Sequence, residues 1–341
     1  MQGEEKRKVA RAPGKVILSG EHAVLHKRPA IVMAINRFVT TRLSLNISQK
    51  VSFRFFNLRS YSSLTMRALQ QLKKRIARDY QLFLRGERPI CSVLKRPREL
   101  IQFAFSLLAE EFPRFIGRGV NLEVNSDIPV RCGLGSSAAS LTSVCYLLAS
   151  HFLRSFSKSQ LHRLILRAEN LQHGFSSGMD PYISLHGGCT LFSTSEHFSL
   201  PMPPFDYSLI YTGASSNSTG EAVTSVHQRF SGSVIWSEFE EATRCMERAL
   251  VRRCLESWKG AIALSHQLLC KIQVVPQKVL SFITQLEREG GRAKICGSGA
   301  IQGQGGGIVL ATGGRNLASL CAEYGYQLLS ARGEASGVQL V

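Results

Sequence analysis

"DIPVRCGLGSSAAS", residues 127–140, places two glycines and two serines where an apolar strand gives way to a helix. Before it, "GVNLEVNSDIP" puts Val120, Leu122 and Val124 on one face of a strand. After it, "SAASLTSVCYLLASHFL" reads as a helix of small and apolar residues. A helix start preceded by glycines exposes unsatisfied N–H donors beside the positive end of the helix dipole, a ready site for phosphate. Gly133 and Gly135 bring no side chain to block approach, and the hydroxyls of Ser136 and Ser137 can cap the helix, touch phosphate or join the oxygen shell of Mg²⁺. Taken by itself, the turn is equally well explained as an ordinary capped helix start.

Other uses of such a turn can be tested against the sequence. No G-x-x-x-x-G-K-[ST] string occurs, which removes the P-loop. Gly133 to Ala138 matches G-x-G-x-x-[GA], but the acid expected about 20 residues later for a ribose is missing, because no Asp or Glu lies between Ala139 and Ala168. A hydride-transferring dehydrogenase is therefore disfavoured. A serine hydrolase is too, since the G-x-S-x-G elbow is absent.

The chain has 341 residues, 44% of them hydrophobic, enough for a substantial core and, by length, two domains. Nine cysteines are scattered without a C-x-x-C pair, so neither a disulfide framework nor a zinc site is indicated. The charged start "MQGEEKRKVARAPGK" lacks the apolar core of a signal peptide, and no apolar run is long enough for a bilayer. A cytoplasmic protein without membrane contact is expected. The net charge of +18, from 42 basic and 24 acidic residues, attracts polyanions or anionic small molecules alike. The densest basic stretch, Met66 to Leu100, carries Leu69, Leu72, Ile76 and Tyr80 at helical spacing and reads as an amphipathic helix with a solvated basic face. No motif of a nucleic-acid-binding module accompanies it, so no nucleic-acid partner is expected.

From Val9 to Ile47 the pattern is that of several antiparallel strands, giving a β-rich start. "SKSQLHRLILRAENLQHG" predicts a helix capped by Ser157 or Ser159 and stopped at Gly174, followed by a loop "FSSGMDPY". The proline-rich "LPMPPFDY" at 200–207 marks the expected boundary between domains 1–203 and 204–341. Beyond it, helical patterns around Trp236 to Arg253 and Pro276 to Glu289 precede strands at "RAKICGS", "GGIVLAT" and "GVQLV", an α+β sandwich with helices on one face.

Two further glycine-bearing segments join the first. In "APGKVILSGEHAVLHKRPA", Lys15 enters a strand and Gly20-Glu21-His22 forms the next turn; in "KICGSGAIQGQGGGIVLAT", six glycines from Gly297 to Gly307 lie between apolar strands. Together the three segments resemble, in order, spacing and content, the motifs of the galactokinase, homoserine kinase, mevalonate kinase and phosphomevalonate kinase (GHMP kinase) superfamily. "PGKVILSGEHAVLH" is most similar to the mevalonate kinase branch.

The resemblance implies a two-domain α+β fold, with a β-rich N-terminal ATP-binding domain and a ferredoxin-like C-terminal sandwich. It also implies ATP- and Mg²⁺-dependent phosphoryl transfer to the primary hydroxyl of a small molecule, mevalonate in that branch, and it leaves room for a homodimer. Carried across by motif, the nucleotide contacts fall on Ser126, Arg131, Cys132, Gly133, Leu134, Gly135, Ser136 and Ser137, with Ser137 and Glu169 as metal ligands. Asp180 and Lys15 take the catalytic positions, the first orienting or accepting the hydroxyl proton, the second stabilising the developing alkoxide. His22 is implied as a contact to the substrate's carboxylate or hydroxyl, and Thr219, with Ser218, as a hydroxyl near phosphates or substrate.

Two departures stand out. Arg131 replaces the first glycine of P-x-G-x-G-L-x-S-S-A, where a guanidinium either touches polyphosphate or crowds it. The third motif is longer than G-x-G-G-G-G, interrupted by Ala300, Ile301, Gln302 and Gln304. They leave two alternatives open, another acceptor within the superfamily (phosphomevalonate or homoserine) and a non-catalytic homologue that binds polyanions or a ligand.

Overall fold

The structure is a computed structural model that describes residues 8–110, 119–129, 131–153, 155–216 and 219–341. Two antiparallel-rich sheets organise it. The first contains β1 (Lys8–Ser19), β2 (Ala30–Asn46), β3 (Lys50–Phe55), β4 (Ser60–Thr65), β5 (Gly119–Ser126), β6 (Cys189–Phe192) and β7 (His197–Leu200). The second contains β8 (Ser208–Tyr211), β9 (Arg292–Cys296), β10 (Ile308–Thr312) and β11 (Gln327–Leu329) in the order β11-β8-β10-β9. That order is the 4-1-3-2 pattern of a ferredoxin-like sandwich, as expected. The α+β architecture follows from this pairing of sheets with helices.

The region expected to hold several short strands is two long ones, β1 and β2, paired antiparallel with irregularities at Pro13/Gly14 and Ile17/Ser19. The terminal "GVQLV" also departs from expectation. Its strand β12 (Gln339–Leu340) returns to the first sheet and pairs with β1, Ala10 opposite Leu340. Short apolar strands carry no mark of which sheet they join.

Helices α1 (Met66–Leu84), α2 (Glu99–Glu110), α3 (Ser136–Phe152), α4 (Lys158–His173) and α5 (Met179–His186) belong to the first half of the chain. The small residues of α3 serve close packing: Ala138, Ala139 and Ser143 are buried, and Ser143 meets Thr41 of β2 through a 2.7 Å hydroxyl pair. In α4 the cap is Ser157, within a full capping box with Gln160, and Gly174 ends the helix. On α1, Leu69 and Ile76 are buried, as the spacing requires. The basic face is only partly solvated, however. Arg75, Arg78 and Arg88 converge on the buried Asp79, and Arg75 also reaches Glu99.

In the second half, α7 (Ile235–Arg252) and α9 (Gln277–Arg288) match the expected helices, while α6 (Thr219–Phe230), α8 (Leu255–Lys271) and α10 (Leu317–Tyr324) were not foreseen. The hydrophobic cores of the two sheets meet where Ile308, Leu310 and Cys296 join the cluster built on β1 and β2. That junction positions the site.

Candidate active site

A cavity of about 520 Å³ opens along this junction, and all three glycine-bearing segments line it. Their meeting is direct. The Lys15 N–H donates to the Leu134 carbonyl at 3.0 Å, tying the first segment to the second. A Cβ added at Gly133 would stand 3.2 Å from the Cys296 carbonyl, and one at Gly307 would stand 2.7 Å from the Cys132 carbonyl, so the second and third segments touch at positions where only backbone fits.

Lys15, carried by β1, is nearly buried, and its Nζ lies 3.1 Å from Asp180 Oδ2. Asp180 is not in a loop as expected. It sits in the first turn of α5, ahead of Pro181. A proline in a first turn gives up an N–H that has no helical partner anyway, and a carboxylate there is favoured by the dipole. Turn and helix start share this local sequence, so the misreading has a physical cause.

Glu169 on α4 is buried and its Oε1 has no hydrogen-bond partner among the described residues. Burial first, then the nearby Asp180 charge, pushes its carboxyl up to about 8, while Ser137 and Lys15 pull the other way. The Ser137 hydroxyl donates to Gln172 Oε1 at 2.8 Å. A buried acid with an orphan oxygen beside a hydroxyl fits a hard divalent cation, which favours the ionised carboxylate and accepts oxygen donors. No group of three or more His, Cys, Asp or Glu forms a metal cluster among the described residues.

His22 is buried with φ +58°, and its Nε2 stands 3.1 Å from the Ser298 carbonyl. Facing a carbonyl, Nε2 must carry the proton, so in the neutral ring Nδ1 can only accept. Burial pushes the imidazole down to about 4. Of the two contacts considered for it, a substrate hydroxyl fits this tautomer and a carboxylate does not.

The remaining sequence-derived positions line the same cavity. Ser126 does so with its Oγ engaged by the Ile128 N–H at 3.1 Å. Cys132 is buried, its thiol aimed at the Pro129 carbonyl and pushed up by burial, so only its backbone is offered. Gly135 is the N-cap of α3, and Leu134, Ser136 and Ser137 follow the turn round. Thr219 opens α6 at the cavity edge; Ser218 and Val130 lie outside the described residues.

Arg131 lines the same cavity as the rest of the turn. Its guanidinium donates to the Ser216 carbonyl at 3.3 Å and its own carbonyl accepts from the Ser215 N–H, bridging the turn to the segment before α6. Its φ of +58° is the left-handed value that a glycine supplies without strain. The lengthened third loop is stitched to that same segment, the Ser215 hydroxyl donating to the Gly299 carbonyl at 3.2 Å.

Sequence reasoning missed several cavity residues. Phe55, Leu58, Leu100, Ile101 and Val124 make an apolar end, and Asn57 beside them exchanges hydrogen bonds with the Ser126 backbone at 2.7 and 2.8 Å. They come from β3, β5, α2 and the β3–β4 turn, and no local motif connects them. His173, four residues after Glu169 on α4, also lines the cavity. That spacing puts both side chains on one helix face, a signal available in the sequence.

The convergence of a glycine turn at a helix start with a lysine–aspartate pair and a buried acid defines a small-molecule kinase of the GHMP type, and residues 99–188 match the family model described as "GHMP kinases N terminal domain". The chain is 32% identical over 304 residues to the mevalonate kinase of Archaeoglobus fulgidus, covering 88% of this chain and 90% of that one. It is 31% identical over 224 residues to the mevalonate kinase of Thermococcus sibiricus, covering 66% of this chain and 62% of that protein. The crystal structure of the Methanococcus jannaschii mevalonate kinase superposes with a TM-score of 0.78 at 18% identity, over 97% of this chain and 99% of that one, and so shares the fold. The chain belongs to the mevalonate kinase family.

Proposed function

We propose that the protein transfers the γ-phosphoryl group of ATP to the primary hydroxyl of mevalonate, giving 5-phosphomevalonate and ADP. The observation that carries this reading is the Lys15–Asp180 pair, 3.1 Å apart on the cavity wall beside the glycine turn. Family membership supports the acceptor, since a relative aligned over 304 residues is a mevalonate kinase.

Phosphoryl transfer asks the protein mainly to position groups and balance charge. In this reading the bare N–H groups at the start of α3 and the turn from Arg131 to Ser137 hold the triphosphate. The apolar end at Phe55, Leu58 and Ile101 takes the base. Ser137 and Glu169 hold Mg²⁺, which when bound neutralises charge on the phosphates. Asp180 accepts the hydrogen bond of the acceptor hydroxyl and orients its oxygen in line, while the Lys15 ammonium stabilises the alkoxide as it develops. His22 accepts from a substrate hydroxyl through Nδ1, and Thr219 stands at the phosphate side. A cytoplasmic setting belongs to the same reading; among the described residues no helix is long and apolar enough to cross a membrane.

The test is ADP release by purified protein with Mg-ATP, expected only when mevalonate is added. Release with phosphomevalonate, homoserine or a sugar in place of mevalonate would reassign the acceptor and leave the kinase class standing.

A further inference from the structure

Outside the groups used above, the most heavily buried charge among the described residues is on Lys294 of β9, fully inaccessible at 0% exposure. Its Nζ pairs with Glu21 Oε1 and also donates to the Ile17 carbonyl at 3.3 Å. One ammonium from the second sheet thereby grips two points of the first segment: the strand that carries Lys15, two residues further on, and the Gly20–His22 turn. The turn is held a second time where His22 meets the Ser298 carbonyl, one residue beyond Gly297 in the third glycine loop. Glu21 lines the cavity, and with Oε1 occupied its Oε2 has no partner among the described residues. A hydroxyl donor is the group that satisfies such an oxygen.

Burying an ammonium and a carboxylate is costly, and such a pair seldom adds stability over an apolar packing of the same shape. What it supplies is a fixed relative geometry. We propose that Lys294 is a positioning residue for phosphoryl transfer, acting through Glu21: it sets the acceptor end of the cavity by locking the Gly20–His22 turn and the Lys15 strand to the third glycine loop, with Glu21 ionised and its second oxygen free for an acceptor hydroxyl. This rests on the mevalonate phosphorylation proposed above. Lys294 stays charged although burial opposes it, because Glu21 pairs with it; Cys296 and His266 of α8 also face Lys294, and Lys15 and Glu21 both act on Cys296. Cys296, pushed up to about 11 chiefly by burial, is a neutral thiol at neutral pH, which leaves Glu21 as the counter-charge.

The experiment compares wild type, Lys294→Met, Glu21→Gln and the double variant, varying mevalonate at saturating ATP and measuring ATP affinity separately by calorimetry. For Lys294→Met the expected result is a fall of about a hundredfold in kcat/KM for mevalonate with ATP affinity held, the scale of an ångström-sized misplacement. Its kcat/KM should also rise with pH through a new limb, since a buried carboxyl without its ammonium is harder to ionise. The double variant should show no such limb and be no worse than Glu21→Gln, because Lys294 acts through Glu21. Kinetics of Lys294→Met like wild type overturn the proposal, as do losses that multiply in the double variant. If Lys294→Met does not fold, the comparison of the double variant with Glu21→Gln decides: equal values support the proposal and a further drop overturns it. A wild type without mevalonate-dependent ADP release removes the functional reading and this inference with it; an active wild type with indifferent variants removes the inference alone.

Discussion

Gly135→Ala tests the site through its backbone. Gly135 has φ +72°, and a Cβ placed there would lie 2.8 Å from Lys15 Cγ and 3.2 Å from Lys15 Cε. Carbon atoms in comfortable contact sit about 3.5–4.0 Å apart, so the lysine stem must retreat by roughly 0.7 Å or more, or the turn must shift by as much. Lys15 cannot retreat freely, because its neighbourhood is nearly closed and its Nζ is held by Asp180 at 3.1 Å. A displacement approaching an ångström at a positioned charge can lower turnover by about a hundredfold. Alanine in the left-handed region adds about 1–2 kcal/mol of backbone cost. A melting shift of about 1–3 °C follows for a chain of this size. Gly86→Ala separates the two effects. Gly86 has φ +76° with nothing within 4 Å of an added Cβ, just beyond α1, so it carries the strain without the contact. The assay is coupled ADP release with mevalonate, alongside thermal melts of both variants. Comparable melting losses with turnover lost only in Gly135→Ala are expected. Turnover of Gly135→Ala within about threefold of wild type would refute the reasoning, for Lys15 would then be either unmoved or unneeded.

Asp180→Asn keeps the shape of the side chain and removes the charge that faces Lys15, so kcat should fall by about 10²–10⁴-fold while ATP affinity changes little; an unaltered kcat rules out its role. Acid should destabilise the fold through its buried histidines. His22 and His266 are each held down at about 4 chiefly by burial, against 6.5 for an unhindered imidazole. Below 6.5 the unfolded chain takes up protons that the folded chain refuses, so the stability these groups contribute is full above 6.5 and drains away as pH falls toward 4. The limit is about 3 kcal/mol for each, and urea unfolding across that window checks it; a flat profile would contradict the burial argument.

The elements legible in the sequence share one property, that their cause is local. Ser157 and Gln160 form the predicted cap of α4 because a capping box closes within four residues, and Gly174 stops that helix through its own backbone freedom. The α3 start was readable because glycines followed by serines and a small-residue helix leave few other structures open. The alternation of β8, β9, β10 and β11 into a ferredoxin-like order followed from the family resemblance, since strands as short as the three residues of β11 carry little periodicity of their own. The helices α8 and α10 were passed over for a related reason: they are weakly amphipathic and flanked by residues that also suit turns.

What the sequence could not show are the partners that distance in the chain separates. Glu21 braces its turn, but the bracing charge comes from Lys294, which sits in the sequence as one of two basic residues in β9, with nothing local to set it apart from Arg292. Arg131 posed the opposite problem. Judged beside Gly133 alone it shows no protein partner, and the structure supplies one in the segment at Ser215 and Ser216, which arrives from 85 residues away to accept from its guanidinium. In both cases a charge that looks idle or intrusive in its local context meets a partner from a distant chain segment. The glycines announce where backbone must come close, because their requirement is steric and intrinsic to the position. The charges that hold those close approaches together announce nothing, because their requirement is met by whichever chain segment the fold delivers.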